Sequence, residues 1–242
     1  MLTVEKIDTW GFEHAIRGMR NPMNSWDKSD TKWCGDWDCD PKHECPYRTE
    51  SGCDGSPGEC VIGENDLSLM KTLYVAGTEH RKYLRQIFVS MDITAPLYWW
   101  KEFDTYKFVS PDPLHIEENS CSTMHKIHSK SIELSDFSFE DYYIEDMGVG
   151  VKDCFINVVA DCERLRQIYL NTNDKKYWRA LIQLLPESYN QKRTITMSYE
   201  NIFNIIRQRI NHKLDEWNKF IDVLKDLPYV KAIGGFENGN KA

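Results

Sequence analysis

The sequence of 242 residues has no long hydrophobic run and no excess of basic residues. No apolar stretch approaches the roughly 18 residues that a membrane-spanning helix needs. The start, MLTVEKIDTW, carries acidic residues where a signal peptide has a basic and then an apolar stretch. The formal net charge is -8, whereas a surface that coats nucleic acid needs clustered lysine and arginine. We therefore expect a cytoplasmic protein that binds neither membranes nor nucleic acids and holds its ligand in a local pocket.

The common catalytic motifs are also absent from the sequence. It contains no P-loop, no nucleophile elbow, no His-Glu-x-x-His and no internal repeat. It does contain 41% hydrophobic and 12% aromatic residues, which is enough for a folded core and excludes a disordered chain. Residue spacing alone therefore predicts a globular protein without assigning its chemistry.

The cysteines are unevenly distributed, since Cys34, Cys39, Cys45, Cys53 and Cys60 account for five of the eight. The stretch from 34 to 60 is acidic and rich in glycine and proline, so it cannot bury much apolar surface. Clustered cysteines of an intracellular chain are more often metal ligands than disulfides, but no Cys-x-x-Cys pair occurs here. Two interpretations stay open, a structural zinc site and a loop with reduced thiols. We predict a single domain over residues 1–242 with a Cys-rich insertion at 34–60.

The remainder of the chain is predicted to combine helices and strands. Alternating apolar residues predict a strand over 87–94, and capping and helical periodicity predict several helices. An apolar stripe from Ile202 to Leu224 predicts one long helix, and the tail after Tyr229 is predicted to fray. The other predicted elements are strands over Leu2–Ile7 and Arg193–Ser198, helices over Glu13–Met19, Asn65–Val75, Leu97–Phe103, 151–170 and Tyr177–Leu184, and a loop over 108–118.

The segment Glu79-His80, followed by IFVSMDITAPLYWWKEFDTYK, resembles the central block of the flavin-dependent thymidylate synthases. That family has a histidine, a strand, an Ala-Pro step, a helix with Arg-Gln, and the signature Arg-His-Arg-x-x-Ser. Here Ala95-Pro96 matches the step, and Lys101-Glu102 stands at the Arg-Gln pair. Thr105-Tyr106-Lys107 stands where the family has Arg-His-Arg.

Two further segments extend this resemblance. NSCSTMH keeps Asn119 and Ser122 of the family's Asn-Glu-x-Ser-x-Arg-Tyr motif. LLPESYNQKRTITMSYENIFNIIRQRINHKLDEW is similar to the family's Leu-Pro, strand and helix, with Asn204 and Arg209 five residues apart as in the family. Ile182 replaces an arginine that the family has three residues before Leu-Pro.

The resemblance implies an α+β fold in which an antiparallel-rich sheet packs with long helices. It also implies reductive methylation of dUMP to dTMP by a homotetramer that uses methylenetetrahydrofolate, reduced FAD and NADPH. Arg209 and Ser122 would take part in catalysis, with Ser122 as a hydrogen-bonding contact rather than a nucleophile. By matched position, the cofactor-binding residues are His80, Tyr106, Lys107, Asn204 and Arg209, and the substrate-binding residues are Glu102, Ser122 and Arg209.

An alternative is a divergent, non-catalytic protein that binds a nucleotide or another phosphorylated ligand on the same fold. The altered signature favours it, because losing two charge-assisted contacts weakens phosphate binding by about 3 to 5 kcal/mol. Trp99 and Trp100 have two interpretations as well, a stacking platform for a ring or part of the core. Asn204 and Arg209 lie about 140° apart around one helix, which favours a helix contacted on two sides in a homo-oligomer.

Overall fold

A computed structural model describes residues 1–33, 48–49, 52–53, 60–107, 116–140 and 151–236 of the chain. The strands are β1 (Thr3–Trp10), β2 (Lys32–Trp33), β3 (Arg48–Thr49), β4 (Gly52–Cys53), β5 (Cys60–Val61), β6 (Phe88–Pro96), β7 (Glu117–Ser120) and β8 (Asn190–Ser198). The α-helices are α1 (Phe12–Arg20), α2 (Glu64–Ala76), α3 (Leu97–Phe103), α4 (Thr123–Lys126), α5 (Val151–Thr172), α6 (Lys175–Leu184), α7 (Tyr199–Arg209), α8 (Asp215–Lys225) and α9 (Val230–Gly234). Short 3-10 helices include Arg81–Gln86 and Asp104–Lys107.

Four strands form the main sheet in the order β1-β6-β8-β7. Strand β7 pairs antiparallel with β8, with Glu117 opposite Thr196 and Ser120 opposite Arg193. Strands β2 and β5 form a small antiparallel pair, and β3 and β4 form another. The chain therefore has the predicted α+β architecture.

The central strand β6 confirms the alternation seen in the sequence. Ile87, Val89, Met91 and Ile93 are completely buried, and the residues between them are partly exposed. Burying such aliphatic side chains contributes about 1.5 to 3 kcal/mol each, so the pattern fixes which face of the strand packs inward.

The chain divides into two compact units. Unit 1 comprises Met1–Asp8, Ser90–Thr196 and Arg209–Phe220. Unit 2 comprises Thr9–Val89, Met197–Gln208 and Ile221–Ala242. The single domain expected over 1–242 stays a prediction.

The core of unit 1 is strongly aromatic around α3. Trp99, Trp100, Phe103, Trp217 and Phe220 are all completely buried. The ring centroids of Trp99 and Trp217 lie 4.8 Å apart, and those of Trp99 and Phe103 lie 5.2 Å apart. Of the two interpretations of Trp99 and Trp100, the structure therefore supports the core. A second buried cluster in this unit contains Ile127, Ile132, Phe137, Phe155, Val159, Cys162, Leu181 and Tyr189.

Unit 2 combines an aromatic core with a buried ion pair. The rings of Tyr74 and Phe203 lie 4.8 Å apart, and Arg20 Nε donates to Asp66 Oδ1 at 2.6 Å. Burial alone would raise the pKa of Asp66, but hydrogen bonds from Thr31, Ser29 and Arg20 hold it below its usual value. These bonds tie the segment before β2 to the first turn of α2.

The prediction of one helix from Ile202 to Leu224 is wrong, because the chain breaks between Arg209 and Asp215. Asn211 takes a left-handed backbone conformation with φ 60, which ends α7. Ile210 lies on the predicted stripe but is 48% exposed. Two successive helices that each bury one face produced an apolar periodicity resembling that of one long helix.

Two other predicted ends also differ from the structure. The first residues of the tail after Tyr229 form α9, because Val230 and Ile233 are buried in unit 2, and residues 237–242 lie outside the described residues. The predicted loop over 108–118 ends in strand, since Glu117 and Glu118 belong to β7, and residues 108–115 lie outside the described residues. In the parts of the chain that the structure describes, no helix is both long and apolar enough to cross a membrane.

Candidate functional site

Arg209, the last residue of α7, lies in unit 1 beside the end of α3. The face of α3 that carries Trp99, Trp100 and Phe103 is fixed in the core, which leaves the side chain of Glu102 36% exposed beside it. The 3-10 turn that follows α3 then presents Tyr106.

The guanidinium group of Arg209 is held by charge and by aromatic rings. Its Nε donates to Tyr106 Oη at 2.7 Å, and its Nη1 donates to Glu102 Oε2 at 2.9 Å. The guanidinium carbon lies 4.6 Å from the ring centroid of Trp217 and 5.4 Å from that of Tyr106. We call Glu102, Tyr106, Arg209, His212 and Trp217 the Arg209 cluster.

Glu102 Oε2 is the acceptor around which this cluster is built. It accepts from Arg209 Nη1 and from Trp217 Nε1, both at 2.9 Å, and lies 3.5 Å from His212 Nε2. His212 Nδ1 accepts the backbone N–H of Leu214 at 3.2 Å, and its Nε2 lies 2.9 Å from Arg209 Nη1. Glu102 therefore offsets much of the positive charge of Arg209.

One edge of the Arg209 guanidinium stays open to a ligand. Its Nη2 makes no hydrogen bond with the described residues, and 18% of the side chain is exposed. Burial raises the pKa of Tyr106, against the lowering effect of the hydrogen bond from Arg209. The phenol therefore stays protonated at neutral pH, and the cluster offers a guanidinium N–H and a hydroxyl, groups that suit phosphate or carbonyl oxygens.

A second network, around Arg193, supports the neighbouring turn and strand. Arg193 Nη1 donates to Asp104 at 2.9 Å and to Glu118 at 3.0 Å, and the guanidinium lies 4.2 Å from the ring centroid of Trp100. Sequence reasoning missed this residue. The signal was present, because Arg193 lies two residues before the buried Ile195 and therefore on the same face of the strand.

Ser122, predicted as a substrate-binding and catalytic residue, occupies the N-cap position of α4. Its side chain is exposed, and its hydroxyl has no hydrogen-bond partner among the described residues. Its backbone carbonyl accepts from Lys126 N at 2.8 Å, and Gln191 Nε2 fixes the preceding residue through Cys121 O at 2.9 Å. The described contacts do not connect Ser122 with Arg209.

His80 and Asn204, both predicted to bind the cofactor, belong to unit 2. His80 is exposed and precedes the 3-10 helix Arg81–Gln86. Asn204 is partly buried, and its Oδ1 accepts from Arg207 Nη2 at 2.9 Å. The structure thus brings Glu102, Tyr106 and Arg209 together within unit 1 and places His80 and Asn204 in the other unit.

The remaining predicted residues lie largely outside what the structure describes. Lys107 ends a 3-10 turn, but its side chain is not among the described ones, and neither is that of Cys53. Cys34, Cys39 and Cys45 fall outside the described residues altogether.

Cys60 is the one predicted zinc ligand whose side chain the structure describes. It is a buried free thiol, and burial together with Asp66 and Glu13 raises its pKa to about 12. Among the described residues, no group of three or more metal-ligating side chains occurs. The zinc site therefore stays a prediction.

Comparison with known proteins shows structural similarity but no match in sequence. No family model and no curated protein sequence matches the chain. The flavin-dependent thymidylate synthase ThyX from Helicobacter pylori, complexed with FAD and dUMP, is similar with a TM-score of 0.62 and 14% sequence identity, over 96% of this chain and 99% of that chain. A second structure of ThyX from Helicobacter pylori with FAD and dUMP is similar with a TM-score of 0.64 and 14% identity, over 99% of this chain and all of that one.

The chain therefore has the α+β fold of the flavin-dependent thymidylate synthases over almost its whole length. This confirms the fold that the sequence resemblance implied.

Proposed function

We propose that the chain is a flavin- and nucleotide-binding protein with thymidylate synthase-like function. The observation that carries the proposal is the Arg209 cluster. Glu102, Tyr106 and Arg209 were each assigned to ligand binding by separate matched positions, and their side chains are in direct contact. The similar Helicobacter pylori structures hold FAD and dUMP, which supports the same two classes of ligand here.

The described residues fit these ligands by their chemistry. Arg209 and Tyr106 offer donors to a nucleotide phosphate, and Ser122 offers a hydroxyl that has no partner in the described part of the chain. In unit 2, the side chain of His80 and the amide nitrogen of Asn204 make no hydrogen bond with the described residues, which suits them to the heteroatoms of a flavin. Lys107, in unit 1, belongs to the proposed cofactor-binding residues by the resemblance alone. The flavin, when bound, would supply the electrons for the reduction.

The finer parts of the proposal follow the resemblance. They are the methylation of dUMP to dTMP, methylenetetrahydrofolate as the one-carbon donor, NADPH as the reductant, a cytoplasmic location and a homotetrameric assembly. Arg209 and Ser122 would contact the reacting nucleotide.

A divergent binding protein without the thymidylate reaction is the second candidate, and Glu102 is the observation that favours it. A carboxylate 2.9 Å from Arg209 competes with a ligand phosphate for the same cation. A protein selected to hold the dUMP phosphate tightly would not need that competitor.

Reconstitution with FAD separates the two candidates. We expect the purified chain to take up FAD and show flavin absorbance bands, to bind dUMP, and to form dTMP when methylenetetrahydrofolate and NADPH are added. Arg209→Ala should weaken dUMP binding by about 1.5 to 3 kcal/mol, because a charge-assisted contact is lost. Arg179→Ala is the matched control, since Arg179 is an exposed helical arginine of the same unit.

Each outcome of this experiment has one interpretation. Binding of FAD and dUMP without dTMP formation would select the second candidate. A chain that binds neither ligand, with Arg209→Ala and Arg179→Ala indistinguishable, would contradict both.

A further inference from the structure

Four arginines are buried among the described residues, and three of them are well hydrogen-bonded. Arg20 donates to Asp66 and to two backbone carbonyls, Arg166 to Glu163 and a carbonyl, and Arg193 to Gln191, Asp104 and Glu118. This is the usual condition of a buried guanidinium, because each unpaired donor loses its hydration without compensation.

Arg81 is the exception. It is 8% exposed, makes no hydrogen bond with any described residue, and its Nε is completely buried without a partner. The nearest acid is Glu200, whose Oε1 lies 3.7 Å from Arg81 Nε. Glu200 is itself engaged by Arg85, whose Nε donates to Oε2 at 2.5 Å.

Arg81 and a second arginine, Arg207, both lie near the aromatic ring of Tyr74. The guanidinium of Arg81 lies 5.9 Å from the ring centroid of Tyr74, and that of Arg207 lies 5.8 Å from it. Arg207 is exposed and donates to Asn204 Oδ1 and to the carbonyl of Phe203, but no acid within the described part of the chain pairs with it. Glu200 therefore serves two guanidinium groups and lies closer to Arg85 than to Arg81, whereas Arg207 has no ion pair among the described residues.

We propose that Arg81, Tyr74 and Arg207 form a binding site for a phosphate group. Arg81 shares its counterion with Arg85, and Arg207 has no ion pair among the described residues, so both guanidinium groups can offer charge to a phosphate dianion and N–H groups to its oxygens. The phosphate would supply the acceptor that Arg81 lacks. All three residues belong to unit 2, and the inference does not rest on the proposed function, because any phosphorylated small molecule satisfies it.

The site is tested first with inorganic phosphate. We expect calorimetric titration of the full chain, at constant ionic strength, to show one bound phosphate. Arg207→Gln and Arg81→Met should each weaken the binding by about tenfold to a hundredfold, the loss expected for one charge-assisted contact. Arg179→Gln, which removes an exposed helical arginine of unit 1, should bind phosphate like the parent.

Unfolding measurements separate ligand binding from a structural role of Arg81. Methionine keeps much of the volume of the arginine stem and removes the buried charge. In phosphate-free buffer we therefore expect Arg81→Met to be at least as stable as the parent, and to lose the stabilisation that phosphate gives the parent. A marked loss of stability in phosphate-free buffer, with phosphate binding retained, would show instead that Arg81 is structural and would overturn the proposal.

The source of the phosphate is tested with FAD and riboflavin. If the phosphates of the cofactor occupy the site, Arg207→Gln should weaken FAD binding about tenfold or more and leave riboflavin binding unchanged. If phosphate binds but FAD is unaffected, the site takes a separate phosphorylated metabolite. Absence of phosphate binding by the parent, or equal binding by the parent, Arg81→Met and Arg207→Gln, would overturn the proposal whether or not FAD binds elsewhere.

Discussion

Glu102 determines how much positive charge Arg209 can offer to a ligand. Its Oε2 accepts from Arg209 and from Trp217, so it both positions the guanidinium and neutralises it. These two effects act in opposite directions on phosphate binding. Positioning the Arg209 guanidinium requires only a hydrogen-bond acceptor at residue 102, whereas neutralising it requires a negative charge there. Replacing the carboxylate by an amide therefore separates the two effects.

We expect Glu102→Gln to tighten the binding of dUMP about tenfold and to leave that of deoxyuridine unchanged, because only the phosphate competes with the carboxylate. The amide oxygen still accepts from Arg209 and Trp217. Titration of the parent and the variant with both ligands measures the effect. Glu187→Gln is the control, since Glu187 is an exposed acid of the same unit paired with Lys101. Weaker dUMP binding in Glu102→Gln would show that positioning dominates.

For single residues, the sequence predicted those that stand at matched positions of the family's motifs. It missed those whose roles depend on contacts between distant parts of the chain. Arg209, Glu102 and Tyr106 were predicted from their places in matched segments, and their roles in ligand binding stay predictions. His212, Trp217 and Arg193 were missed as site residues, because their roles depend on contacts with residues far away in the chain, such as Glu102 and Asp104.

Among the helices, α5 illustrates how one ion pair anchors a neighbouring segment. Arg166 donates to both carboxylate oxygens of Glu163 at 2.7 Å and to the carbonyl of His128 at 3.1 Å. Glu163 also accepts the backbone N–H of Ile132 at 2.8 Å. The hydrogen bonds from Arg166, and then those from Gln167 and Ile132, lower the pKa of Glu163 from 4.5 to about 2, although burial opposes them.

This pKa shift predicts a stability that depends on pH. Because the pKa of Glu163 is depressed by folding, its contribution is complete above about pH 4.5 and is lost as the pH falls through about 2. We expect Glu163→Gln to lower the free energy of unfolding by about 2 kcal/mol at pH 7, a figure discounted for partial exposure. The difference should shrink below pH 4.5. Urea unfolding at several pH values measures it, and Asp161→Asn is the control, since the Asp161 side chain is half-exposed. A constant difference from pH 7 to pH 3 would contradict the assignment.

The periodic patterns predicted that a helix or strand exists more accurately than they predicted the residues at which it begins and ends. The period of two found β6, and helical spacing found α1, α2, α3, α5 and α6. The same spacing merged α7 and α8, because the positive φ of Asn211 leaves no trace in an apolar pattern that continues past it. The break matters for the site, since it makes Arg209 the end of a helix instead of its middle.

For the whole molecule, a resemblance over roughly residues 64–108 and 117–230 was sufficient to predict a fold that extends over almost the entire chain. At 14% identity, the similarity to the solved structures lies in the fold. Positions such as Ala95-Pro96 and Leu185-Pro186 belong to the sequence resemblance. Burial patterns constrain only whether a position is apolar, so most residues can change while the fold is kept. The Cys-rich stretch from 34 to 60 is not part of the sequence resemblance.

The homotetramer is a prediction about the whole molecule, and β1 indicates where association would occur. This strand lies at one end of the sheet order, and it carries the exposed apolar residues Ile7 and Trp10, at 44% and 43% exposure. Edge strands with exposed apolar side chains pair readily with another chain. We therefore expect light scattering at micromolar concentration to give four times the chain mass of 28.5 kDa.

Ile7→Lys should reduce that mass, because a lysine on an edge strand opposes pairing. Met23→Lys is the control, since Met23 is 82% exposed and lies outside β1. A tetramer that survives Ile7→Lys would place the interface on another surface. A mass of 28.5 kDa for the parent at every concentration would contradict the tetramer itself and, with it, any part of the proposed site that a second chain would have to complete.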